Sequence, residues 1–521
     1  SGTLTLGNGV LATTLTVTVV AGTIPSSMTA YNLMNQTYTL NYNNTSSYNT
    51  GGELPSLSAA PPAGGTMTLG SGATVVMSND GTIFSVSIPN LANSILRLNG
   101  KTLRMAGNFT NSALTANTMG LDASVSNSKL SFINTLTGQT LTFNNQTFSS
   151  VITAPDIEVS NTNSTTGVSL QAAGSVRNVL VNAGSYLQFT NATLNVGGNI
   201  TNNGTIFTNG GNTSASVTMN GASAQTISGT GTWLQTVTSA AVGVFPGLII
   251  NNTSGVVLNQ NLGLQNILTL TNGVLSSSNS STLSLGNIAG TLTTTRTNGS
   301  LNINTGYNLT GITYNVNYNA TNPAIAITTG TEIPPSSYSF YRAGTMTINN
   351  TTASGGVILG AGSNINALTI SASTTLDLSG STLGIYGAYS NSGILNASNS
   401  TSTLLFNGIA AQSMTTGTLT SSYISNVSVN NNLGFTFNNT VQIGSASING
   451  VLNLIAGATS IASATTLTVF GSFSGNGTLT SGSSNAALSL QGTAGNMGTI
   501  NLTAGAQTFT TLTVNIGGAT P

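Results

Sequence analysis

Six copies of a short phrase, set at nearly constant intervals, constrain the fold of this chain more than any other feature. The phrase is Thr-Leu-x-Φ, where Φ is apolar, followed by glycine or another small residue. It begins at Thr3 (TLTLGN), Thr102 (TLRMAGNF), Thr193 (TLNVGGNI), Thr282 (TLSLGNI), Thr382 (TLGIYGAY) and Thr466 (TLTVFGSF). Successive copies therefore stand about 90 residues apart, and self-similarity at a fixed period marks an array of stacked units. No unit of such an array buries its apolar face alone.

The copies extend past the phrase. TLNVGGNITNNGTI from Thr193 parallels TLTVFGSFSGNGTL from Thr466. A glutamine followed by Thr or Ser and an apolar residue stands at Gln139, Gln225, Gln412 and Gln507. A larger unit is superimposed. YNLMNQTYTLNYN from Tyr31 matches YNLTGITYNVNYN from Tyr307, and Glu53-Leu-Pro55 matches Glu332-Ile-Pro334 at nearly the same offset. Three short repeats thus form one super-repeat of roughly 280 residues. Positions 1–280 hold the first, and 281–521 hold a second that is incomplete at its C-terminal side. The chain starts just before one phrase and stops short of the next. Solenoids need capped ends, so its expected partners are flanking repeats of a longer chain, or further copies of itself joined head to tail by strand complementation. An opening Ser1-Gly-Thr without Met reads as a mature or trimmed form.

Apolar residues alternate with Thr, Ser and Asn over short runs, as in Leu15/Val17/Val19, Leu103/Met105, Leu194/Val196 and Leu512/Val514. Period two with β-branched enrichment reads as strands with one buried face. Asn-Gly pairs such as Asn99, Asn203, Asn272 and Asn449 supply turns, and no helical stripe is visible. A period of about 90 residues fits tandem seven-stranded sandwiches or four to five solenoid rungs of roughly 20 residues. Linkers are absent between phrases, and aromatics are only 6% with one Trp. An all-β parallel β-solenoid (β-helix) is therefore expected, with tandem β-sandwich domains as the alternative. At ~4.8 Å per rung, some 20 to 26 rungs would make a rod on the order of 100–125 Å.

Composition removes most chemistry. Charged residues are 3%, seven of each sign, and there is no His or Cys. Ser-His-Asp and Cys-His nucleophile systems and typical zinc sites need those residues. No P-loop occurs, and seven scattered cations make no nucleic-acid footprint. No apolar run of about 18 residues spans a bilayer. No catalytic, cofactor-binding or metal residue is assigned, and no cofactor is expected.

Five features remain as candidates. Asp156 and Glu158 share one strand face and read as an acid–base or Ca²⁺ pair, or as a solvated edge pair. Arg97, Lys101 and Arg104 form the one basic cluster, suited to an acidic glycan or to a solvated face that blocks edge pairing. Asn-x-Ser/Thr sequons (Asn35, Asn44, Asn108, Asn145, Asn163, Asn191, Asn199, Asn203, Asn212, Asn252) are as frequent as this composition gives by chance. Thr-x-Thr phrases such as Thr3-Leu-Thr5 and Thr66-Met-Thr68 suggest ice-binding arrays, but these phrases read as recurring once per short repeat and not once per rung. The tyrosines of 31–42 and 307–318 either stack on sugars or fill a wider rung.

The run TLNVGGNITNNGTI, VTMNGASAQTISGTGT, LIINNTSGVVLNQNL, ILTLTNGVLSSSNSSTLSLG resembles the repeat of large secreted β-strand-repeat proteins of Bacteroidota. TYTLNYN with GGELPS, and TYNVNYN with GTEIPP, resemble a variant rung set of that family. The resemblance covers nearly the whole chain. It implies a β-helical, adhesin-like protein that is released or held at the cell surface, often exported by the type IX system, whose C-terminal sorting domain is not evident here. The family has no catalytic residues to carry over. The expected function is a non-enzymatic structural extracellular protein, the rod of a cell-surface adhesin or the subunit of a head-to-tail filament. The alternative is a carbohydrate-binding or carbohydrate-cleaving β-helix with surface glycans as partners.

Overall fold

The computed structural model describes residues 4–516, leaving aside stretches of which 8–12, 113–119, 144–153, 209–213, 235–243, 321–325, 339–343, 351–355 and 504–508 are the longest. Among the described residues there is no helix, and parallel strands stack as a β-solenoid of about 19 turns. Sandwich strands pair antiparallel, whereas each strand here pairs in parallel with the strand one turn later, which excludes the tandem-sandwich alternative. The turns are fewer than the roughly 20 to 26 expected from a uniform rung. Rung length varies: Tyr186 pairs with Thr205, but Lys129 pairs only with Asp156. Two compact units divide the chain, residues 1–267 with 272–284 and residues 268–271 with 285–521.

In the first unit one face is a row of ten strands from Thr14–Val19 to Thr232–Leu234. Alternation sorts its side chains into two columns. Leu40, Met67, Val86, Phe109, Leu141, Leu170 and Phe189 follow one another in register on the inner side, none more than 2% exposed. Thr18, Asn41, Thr68, Ser87, Thr110 and Thr142 follow one another on the outer side. Each fully buried large apolar side chain contributes about 1.5–3 kcal/mol, so the stack rests on many equal increments.

In the second unit Leu383, Leu404, Val427, Leu452 and Phe473 make the corresponding inner column. Beside that column Phe406, Phe435 and Phe437 pack ring to ring, 4.5 and 5.0 Å between centroids.

The repeated phrase is a single strand of this stack. Its Leu and Φ residues point inward at Leu103/Met105, Leu194/Val196, Leu283/Leu285, Leu383/Ile385 and Leu467/Val469, all buried. The copy at Thr3 differs, since Leu4 is 47% exposed.

The glutamine that follows has a defined task. Gln139 Nε2 donates to the carbonyls of Met105 and Gly107 at 3.0 and 2.7 Å. Gln225 does the same to Val196 (2.8 Å) and Gly198, and Gln412 to Ile385 and Gly387 at 2.9 and 2.7 Å. The acceptors are therefore the Φ residue and the glycine of the phrase one turn back. Each Gln Oε1 accepts from an asparagine one turn onward: Asn161 at 2.9 Å, Asn252 at 2.8 Å and Asn431 at 2.9 Å. Those asparagines donate their second amide proton to Thr137, Ser223 and Ala410 carbonyls. Their Oδ1 atoms accept from the backbone N–H two residues on, at Asn163, Ser254 and Leu433. Three rungs are thus clamped by two buried amides. Gln507 lies outside the described residues.

Replacing Gln225 by Leu removes its bonds to the Val196 and Gly198 carbonyls and takes that partner from one Asn252 amide proton and from Gly221 N–H, while Val196 O keeps Asn220 N–H. Unsatisfied buried groups cost about 1–3 kcal/mol each before relaxation. The variant is expected to lose about 2–4 kcal/mol, measured as lost amide-exchange protection around Val196–Gly198 and Asn252, with distant rungs unchanged.

Candidate functional site

The two tyrosine blocks and the glutamate loops that follow them are the main departures from this regular stack. On the strand Thr37–Tyr42 alternate residues point inward, so Tyr38 and Tyr42 are fully buried. The loop after it folds back so that Glu53 is also fully buried. Tyr42 Oη donates to Glu53 Oε1 at 3.0 Å, Gly51 N–H donates to the same oxygen at 2.8 Å, and Tyr38 Oη donates to the Glu53 carbonyl at 2.5 Å.

The second unit repeats the arrangement residue for residue. Tyr318 Oη and Gly330 N–H donate to Glu332 Oε1 at 2.8 and 2.9 Å, and Tyr314 Oη donates to the Glu332 carbonyl at 2.6 Å. Gly65 (φ 102°) and Gly344 (φ 106°) cross the backbone of Tyr38 and Tyr314 so closely that a Cβ there would strike the tyrosine carbonyl. Glycine is required at both. These four tyrosines fill a wider rung, and their rings face the core instead of a ligand.

An arginine in the second copy has no counterpart in the first. Arg296 stands in register with Tyr318, as Val19 does with Tyr42. Arg296 Nη1 donates to Glu332 Oε1 at 2.5 Å and to the Thr328 carbonyl at 2.9 Å, while its Nε holds the Gly299 carbonyl at 3.0 Å. The pair is almost solvent-free. Among the described residues no cation lies within ion-pair distance of Glu53.

The remaining charges are mostly tied to neighbours one turn away. Asp156 and Glu158 do share an outward face. Arg177 grips Asp156 through two bonds of 2.9 Å, and Lys129 holds Glu158 at 3.1 Å. No three acids gather as a metal group among the described residues. The basic cluster does not converge. Arg97 pairs with Asp122 at 2.9 Å, Arg104 donates to Thr82 Oγ1 and the Ala59 carbonyl, and Lys101 N–H closes a turn on Leu98. Partial burial pushes the Asp122 carboxyl up, but the Ser124 amide and hydroxyl and Arg97 together hold it below its usual range.

Of the sequons, Asn252 is fully buried in a glutamine clamp, Asn163 closes a turn through Oδ1, and Asn44, Asn145 and Asn212 lie outside the described residues. Threonine-like positions recur on successive rungs, more often than the phrase itself, because different strand sequences supply them. The column is mixed, with Asn41 and Ser87 among the threonines. Glu53 and Glu332 enter the sequence reading only as alignment markers. The signal that could have found them is the shared order, Tyr-x-x-x-Tyr followed 11 and 14 residues later by Glu-x-Pro.

Two clefts open beside these features. One, of about 660 Å³, lies between Tyr31, the loop at Leu54–Ala59, and Asp80. The other, of about 350 Å³, is walled by the Arg97–Asp122 pair, Asn99 and Val125. Comparison with protein families, curated proteins and solved structures finds no match for this chain.

Arg296→Met removes the cation while Glu332 stays buried. Breaking a buried pair from one side costs about 3–5 kcal/mol, so urea unfolding of the second unit should shift by that amount while the first unit is unaffected. Alkaline pH tests the tyrosines. Burial first, and the Glu53 charge second, push Tyr31 up to about 12, and burial raises Tyr38, Tyr42, Tyr48, Tyr307 and Tyr318 further. Unfolded tyrosine titrates near 10. The folded state therefore holds these protons more tightly, and their stabilisation is full below pH ~10 and is lost as pH rises through 12 and beyond. Tyrosinate absorbance and loss of strand circular dichroism should rise together in that window. Tyrosinate of these residues forming with the strands intact would contradict this.

Proposed function

We propose that this chain is a non-enzymatic structural protein of the cell exterior, acting as the rod of a surface adhesin or as a subunit of a head-to-tail filament. The observation that carries the reading is the rung-to-rung amide clamp, present three times among the described residues on top of parallel ladders. Separating two rungs then requires several hydrogen bonds to break together.

The chemistry of the surface fits the same role. With no His, and few acids and bases, almost nothing titrates between about pH 5 and 9. Neutral Thr, Ser and Asn columns are insensitive to salt screening. Strand edges suit serial assembly. Leu512 and Val514 on Thr511–Ile516 are 57% and 59% exposed although Leu512 pairs with buried Leu488.

Single-molecule pulling tests the load-bearing role. The wild-type chain should unfold in steps at high force, and Gln412→Leu should lower the force of one step only. Melting temperature should stay within about 2 °C between pH 5 and 9. A mild-pH transition, or force steps indifferent to the clamp, would refute the reading. Electron microscopy of the purified chain separates single rods from filaments.

A further inference from the structure

The two super-repeats differ in a way that opens a cleft in the first and closes it in the second. In both, the leading tyrosine turns its hydroxyl onto the glutamate loop. Tyr31 Oη donates to the Gly52 carbonyl at 2.6 Å, and Tyr307 Oη donates to the matching Thr331 carbonyl. The stretch from Thr50 to Leu69 aligns with that from Thr329 to Ile348 without insertion or deletion. Ala59 of the first loop therefore corresponds to Tyr338 of the second. The Tyr338 ring packs on Tyr307 with centroids 5.5 Å apart, and its hydroxyl accepts Leu309 N–H at 3.1 Å. In the first unit Ala59 supplies no ring, and the 660 Å³ cleft opens beside Tyr31.

The rim changes with the plug. Gly81 pairs with Leu103 and Ser363 with Leu383, the same leucine of the repeated phrase, so Asn79-Asp80 correspond to Ala361-Gly362. At these two positions the open copy carries an amide and a carboxylate, and the closed copy carries neither. Ser56 and Ser58 add hydroxyls 2.8 Å apart. The wall is braced, since Arg104 Nη2 holds the Ala59 carbonyl at 2.7 Å from a neighbouring strand.

We propose that the first unit's cleft binds one ring of a neutral glycan in the space that Tyr338 fills in the second. The built-in occupant is a ring that packs on a tyrosine and carries a hydroxyl. A sugar ring offers the same pair of features, a C–H face for the aromatic ring and hydroxyls for the rim. Asp80 uses Oδ1 on Thr102 N–H at 2.7 Å, and no cation pairs with it among the described residues. An ionised carboxylate only accepts, and an asparagine amide both donates and accepts. The rim therefore selects donors such as sugar hydroxyls and repels uronates, sulfates and phosphates. This adds a ligand to the load-bearing role and does not depend on it.

The test is saturation-transfer NMR on the intact chain with neutral hexose and N-acetylhexosamine tetrasaccharides, and a galacturonate tetrasaccharide as the anionic control. A neutral tetrasaccharide should bind and the galacturonate should not. Ala59→Tyr, which rebuilds the plug, should abolish binding with circular dichroism unchanged. Asp80→Asn, at an exposed position, should weaken binding about tenfold or more, and it keeps the test valid if the tyrosine variant folds poorly. No binding by any neutral tetrasaccharide, or binding that survives both substitutions, would overturn the proposal. So would occupancy of the cleft by a tyrosine-containing peptide when no sugar binds, since that would make the ligand a protein side chain. None of these outcomes alters the pulling measurement, so the two readings fail separately.

Discussion

Hydrogen bonds that run from one rung to the next are the constraint on which everything else in this protein rests. A parallel stack pairs each strand's N–H and C=O groups with the rungs above and below, but at the corners those groups lose their partners. Most proteins have charged side chains and helices to help at such places. This chain has neither in quantity, so neutral amides fill the role. Gln139, Gln225 and Gln412 each reach back to two corner carbonyls and forward to an asparagine. The abundance of Asn is thus an internal requirement of the fold as much as a surface property.

The buried glutamates show the same priority. Glu53 and Glu332 make the same bonds to a glycine N–H and a tyrosine hydroxyl, yet among the described residues only Glu332 faces an arginine. The shared bonds hold the loop, and the ion pair is an addition in one copy. A glutamate kept in both copies while its surroundings differ argues that loop closure is the structural role of its carboxyl group.

Much of the fold is legible in the sequence. Period-two alternation around Leu103/Met105 and Leu194/Val196 predicts strands with the face now seen buried, and the phrase spacing predicts a stack. A mean period overestimates the rung count because rung length varies, from the step between Tyr186 and Thr205 to the longer one between Lys129 and Asp156. The super-repeat locates the tyrosine blocks but not their role, since burial of Tyr38 and Tyr42 depends on a loop that folds back from Glu53. Pairing partners one turn apart, such as Lys129 with Glu158 and Arg177 with Asp156, become readable only once the register is known. The Asp156/Glu158 pair looks like chemistry in one dimension, and the neighbouring rungs supply a cation to each.

The placement of the cations bears on how the chain would meet digestive enzymes. Lysine and arginine are where trypsin-like proteases cut, and here Lys129, Arg177 and Arg296 sit in strands or directly beside them, held by ion pairs. Beyond Arg342 the sequence contains neither residue. The scarcity of charge that forces the fold onto amide clamps therefore also removes most of the sites by which such proteases could dismantle it, whether the rungs are closed or momentarily open.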